Sequence, residues 1–89
     1  NEQEVAFVNY YDSLTDNQAA LLSAIAQDKA VTSILSQDFI SRHNLPAASS
    51  ISLALKTLIN REFIYKYNGS YIIYDRFFGM WLRKNCAGN

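Results

Sequence analysis

The residues able to do chemistry are few here, and their spacing favours no reaction. His43 is the single histidine and Cys86 the single cysteine. A zinc site needs three or four such ligands, so these two build none, and one cysteine makes no disulfide within the chain. Asp75 with Tyr74 or His43 makes no recognisable triad or dyad. It stands where a helix N-cap is expected, a role that occupies a carboxylate without catalysis. His43 is read as an exposed turn residue ending a short helix. Cys86 falls in a frayed tail, which is no basic pocket to activate a thiol. The glycines are scattered at Gly69, Gly79 and Gly88, and no G-x-x-x-x-G-K-[ST] run is present to cradle phosphate. We therefore expect no catalytic residue, cofactor, metal or small-molecule substrate.

Two other groups suit recognition. Residues 46–61 present Ser49, Ser50, Ser52, Lys56, Thr57, Asn60 and Arg61, with Lys66, Tyr67 and Asn68 following. Serine, asparagine and lysine side chains at helical spacing can contact phosphates and base edges. The bases are sparse, however, whereas specific DNA-binding surfaces are usually strongly basic. The second group is the ring cluster Phe77, Phe78 and Trp81, which can complete a core or dock on a protein.

Positioning these residues is the task of one small domain. The chain has 89 residues, 49% hydrophobic and 18% charged, a globular composition too short for two domains. A domain of this size buries only about 60% of its unfolded surface, so most rings must face inward. Net charge is zero but uneven. Five acids and no base precede Lys29; eight bases and three acids follow from there on. No apolar run approaches the ~18 residues of a membrane span. The opening NEQEVAFVNY has acids where a signal peptide has bases, and its lack of Met suggests a piece of a longer protein. With one cysteine, a reducing, cytoplasmic location is expected.

Apolar spacing in VAFVNYYDSL predicts a helix over 3–12, and LTDNQAALLSAIAQD another over 16–27, opened by a Thr15/Gln18 capping box. KAVTSILS reads as a small strand or an approach to the next helix. Ser36 caps a short helix that Asn44 ends in the left-handed region. Pro46 then starts a longer helix to residue 61, with Ile51, Leu55, Leu58 and Ile59 as its apolar stripe. FIYKY and SYIIY flank Asn68-Gly69, a strong hairpin signal. Alternation puts Phe63, Tyr65 and Tyr67 on one face and Ile64 and Lys66 on the other. Asp75 caps a last helix, RFFGMWLRK. Leu22, Ile25, Ile51, Leu55, Leu58 and Trp81 are the expected core. This order predicts an α+β, mainly α, winged helix-turn-helix: a three-helix core, a two-stranded β-hairpin wing and a C-terminal helix. The boundaries are 1–12 for a leading helix, 13–84 for the winged helix domain and 85–89 for a tail.

Over residues 13 to 84 the chain resembles the C-terminal winged-helix domain of prokaryotic AAA/STAND-type, or archaeal-type, ATPases. LTDNQAALLSAIA looks like that domain's first helix, and SRHNLPAASSISLALKTLINREFI like its helix-turn-helix. YIIYDRFFGMWLRK looks like its closing signature, with Arg76 where the family often has proline. The resemblance implies a parent carrying an upstream P-loop ATPase core. It also implies a regulatory or interaction module that docks on that core or on a partner protein. The alternative is weak DNA binding, with helix 46–61 in the major groove.

Overall fold

The computed structural model describes residues 1–86. Helix α1 (Glu2–Asp12) is opened by Asn1, whose Oδ1 accepts from the Glu4 amide at 2.7 Å. Helix α2 (Asp16–Asp28) carries both halves of the Thr15/Gln18 capping box. Each half satisfies an amide that the first helical turn leaves without a partner. Ser36 opens the short α3 (Gln37–Arg42), and Asn44 follows at φ +56. Helix α4 spans Ala48–Asn60. Pro46 lies ahead of its first turn rather than in it, and the N-cap Ala47 gives no side-chain hydrogen bond. Proline's fixed φ instead stiffens the turn between the two helices.

Strands β1 (Ile64–Tyr67) and β2 (Ser70–Ile73) pair antiparallel, with Tyr67 opposite Ser70 and Ile64 opposite Ile73. Asn68 at φ +51 and Gly69 at φ +80 close the two-residue turn. Both central residues have positive φ, as a type I′ turn demands. KAVTSILS is the approach to α3, ending at its N-cap Ser36, and contains a single bridge rather than a strand. Val31 alone bridges Tyr71, exchanging both backbone hydrogen bonds at 3.1 and 2.8 Å, and Ile34 then enters the core. Asp75 Oδ1 accepts from the Phe77 and Phe78 amides and opens α5 (Arg76–Cys86).

The core lies between α2, α4, α5 and the wing. Leu21, Leu22, Ile25, Phe39, Ile51, Leu58, Ile64, Phe78 and Leu82 are fully enclosed. Leu55 and Trp81, expected inside, are only partly covered and pack on the edge of the core. Ile59, expected in the buried stripe, is exposed. The α4 core seam is thus narrow: Ile51, Ala54 and Leu58. In the wing, the cross-strand pair Ile64 and Ile73 turns inward, while Tyr65 and Tyr67 stay outside. Gly79 of α5 faces that pair, and a Cβ there would meet the Ile73 side chain at 3.8 Å, an ordinary contact distance. Helix α1 packs on α5 through Phe7, whose ring lies 5.2 Å from Phe78.

Two of the residues expected in a tail over 85–89 are helical. Asn85 and Cys86 belong to α5, and Cys86 is buried; residues 87–89 lie outside the described residues. The element order is that of the winged helix-turn-helix expected from the sequence.

Candidate interaction surfaces

The outer face of α4 comes first, because the helix-turn-helix reading places the binding residues there. Ser49, Lys56 and Asn60 are exposed on it, whereas Ser50 and Ser52 are half-buried at its margins. At its centre stands Leu53, 69% exposed and absent from the expected set. Arg61 is drawn to its own chain. Its Nη2 donates to Ser13 Oγ at 2.8 Å, and its guanidinium lies 4.8 Å from the centre of the Phe63 ring. On the wing, Lys66 is exposed with its Nζ 5.3 Å from the Tyr71 ring centre. The fold therefore brings Ser49, Lys56 and Asn60 onto one helix face, leaves Lys66 on a separate element, and ties Arg61 elsewhere.

The expected ring cluster is divided. Phe78 is 1% exposed and packs on Phe7, Tyr10, Phe63 and Trp81, so it is core and not a docking residue. The reason is helical phase: Phe78, Gly79, Leu82 and Cys86 form the inward side of α5. Trp81, half-buried, fits between Phe7, Tyr11 and Phe78. Phe77 is 51% exposed, and so is Met80, which the sequence reading missed. Phe77, Met80 and Lys84 recur at i, i+3 and i+7, one outward face of the helix. The spacing was available in the sequence; a lone methionine gave no cue. Arg76 borders this face with its guanidinium 5.3 Å from the Phe77 ring centre. Exposed Tyr74 precedes the helix, in edge contact with Tyr65 of the wing at 5.1 Å.

A third cluster binds the helix-turn-helix together. Arg42 meets Asp28 through Nη1 and Nη2 at 3.3 and 2.9 Å, and Asp38 through Nε at 3.0 Å. His43 Nε2 is 2.9 Å from the same Asp28, so the histidine is a tethered, mostly covered residue rather than an exposed one. Its ring also packs on Phe39 at 4.9 Å. The Arg42 hydrogen bond, with His43 helping, holds the Asp28 carboxyl below its ordinary range against the opposing effect of burial. The hydrogen bonds that Arg42 donates to Asp28 and Asp38 raise it further above its usual value. The four groups bond to one another and so tie the ends of α2 and α3 together.

Among the described residues no group of three or more histidine, cysteine or carboxylate side chains could hold a metal ion. None of the described helices is long and apolar enough to cross a membrane. A hollow of about 500 Å³ lies between α1, α2 and the ends of α3 and α5. Ser23 is among the residues lining it, but its buried Oγ has no hydrogen-bond partner there.

Residues 5–84 match the model of the family described as "Probable winged helix domain". The chain belongs to that family. Neither a search of curated proteins nor one of solved structures gave a match. Winged helix domains are typically non-catalytic. In a winged helix domain α3 and α4 are the helix-turn-helix and β1–β2 the wing, so the two solvent-facing surfaces above lie on the second helix of the helix-turn-helix and on the C-terminal helix.

Proposed function

We propose that this winged helix domain is a non-catalytic interaction module of a P-loop ATPase, docking on the ATPase core or on a partner protein through the outward face of α5. The observation that carries the reading is the exposure of Phe77 and Met80 on one helix face, beyond what the domain's own core covers. Exposed rings at Tyr65 and Tyr74 enlarge the apolar area nearby. Large exposed apolar patches with a polar rim are characteristic of protein contact sites. The rim here is basic, Arg76 and Lys84, so the partner surface is apolar with carboxylates around it. The link to an ATPase rests on the resemblance of YIIYDRFFGMWLRK to the closing segment of the AAA/STAND-type domains. A cytoplasmic location goes with that reading.

The test is binding of the domain to the ATPase part of its parent chain, measured calorimetrically. Phe77→Asp with Met80→Asp should weaken it at least tenfold, the effect of removing two central apolar anchors. Unchanged binding in the double variant sinks the docking face.

A second reading, weak DNA binding, is supported by Ser49, Lys56 and Asn60 sharing the exposed side of α4. Leu53 at the centre of that side and the diversion of Arg61 both count against it.

A further inference from the structure

Two helix faces of this domain complement each other, although they do not meet in one chain. On α1, Val5, Val8 and Asp12 are exposed at i, i+3 and i+7, roughly a third of a turn round from the side that carries Phe7 and Tyr11. On α5, Phe77, Met80 and Lys84 are exposed at the same spacing. Both helices have 11 residues, about 16 Å each at 1.5 Å per residue. Their charges are opposite. Helix α1 carries Glu2, Glu4 and Asp12 and no base; α5 carries Arg76, Arg83 and Lys84 and no acid. Laid antiparallel and end to end, they put Asp12 opposite Arg76, Val8 opposite Met80 and Glu4 opposite Lys84. Along α1 runs a shallow hollow of about 290 Å³, lined by Asn1, Glu4, Val5, Val8 and Asn9, of a kind that a flexible methionine side chain can fill.

We infer that a second copy of this chain covers these faces, α1 of each protomer lying antiparallel on α5 of the other about a two-fold axis. Within one chain α1 and α5 already touch, through Phe7 with Phe78 and Trp81. About that axis the two contacts form together, and the assembly closes as a dimer rather than growing as a chain. This inference rests on the reading of the α5 face as a docking surface and names its occupant. Two short helix faces per protomer make a small interface, of the weak and transient class.

The test is molar mass in solution by sedimentation equilibrium, from about 10 µM to about 1 mM, a range suited to weak association. The wild-type chain should pass from monomer to dimer and no further. Reversing α1 (Glu2→Lys, Glu4→Lys, Asp12→Lys) or α5 (Arg76→Glu, Lys84→Glu) should weaken the dimer by roughly tenfold or more, from the loss of several rim ion pairs. Circular dichroism checks that both variants fold. Mixed together, the two reversed chains should form a heterodimer of wild-type affinity, because every opposed pair is again of unlike sign.

A wild type that stays monomeric at the highest concentration overturns the proposal. So does a dimer that ignores both reversals, a mixture of folded variants that fails to associate, or mass growing past the dimer. The two readings separate on one further measurement. If the chain is monomeric but Phe77→Asp with Met80→Asp still abolishes binding to the ATPase core, only the dimer falls. If that double variant changes neither association, both fall.

Discussion

His43 Nε2 and Asp28 Oδ1, 15 positions apart in sequence, lie 2.9 Å apart and join the end of α3 to the end of α2. Arg42 grips the same carboxylate, so one acid at the end of α2 holds both residues at the end of α3. At that junction Lys29 adopts φ +68, a conformation unfavourable for a residue with a side chain.

Asp28→Asn should destabilise the domain by about 1–3 kcal/mol at pH 7, the usual range for a hydrogen bond to a charged group. The pH dependence has a definite sign. The folded carboxyl titrates below its ordinary value of 3.8. Its contribution is therefore fully present above that value and is lost as pH falls through the lower, folded value. Thermal melts of both proteins at pH 7, 5 and 3 should show the gap between them intact at 7 and 5 and narrowing at 3.

Leu22→Ala should cost about 2–5 kcal/mol, because Leu22 is wholly enclosed. Leu55→Ala should cost less, under about 2 kcal/mol, because Leu55 sits at the edge of the core. Urea unfolding of the two variants checks the order, and an equal loss would contradict the narrow seam of α4.

Gly69→Val probes the wing. An added Cβ meets nothing within 4 Å, so the whole effect comes from φ +80. A left-handed L-residue costs about 1–2 kcal/mol, and a β-branched one sits at the upper end. In a domain of this size that lowers the melting temperature by roughly 4–16 °C.

For DNA, two available phosphate contacts, Lys56 and Lys66, give a log–log salt slope of about −1.8. Adding Arg61 would steepen it to about −2.7, but Arg61 is bonded to Ser13. Lys56→Glu should abolish what binding there is and leave the melting curve unchanged. A fluorescence titration from low to moderate salt reads both quantities.

Local signals were the legible ones. Asn68-Gly69, the Thr15/Gln18 box and the Asp75 cap each lie within a few residues of the backbone groups they govern, and all three are in place. The phase of an apolar helix was harder. Phe77 and Phe78 are adjacent, and only packing against α1 and the wing decides which ring goes inside. Leu53 and Ile59 were obscured for a related reason: α4 has apolar residues over more of its circumference than its neighbours cover. The Asp28 cluster was out of reach, since nothing near Asp28 in sequence announces a partner 15 positions away.

Arg83 reaches back 57 positions to donate to the carbonyl of Ala26 at 3.1 Å, while Leu82 seals the core beside it. The apolar side of α2 is thus finished by a helix synthesised long after it. Until α5 has emerged, a nascent chain carries Leu21, Leu22 and Ile25 without their final cover, a ready target for a chaperone. Native packing then comes after α5 has emerged, and premature release just before Arg76 would yield a polypeptide fit for degradation rather than a smaller working domain.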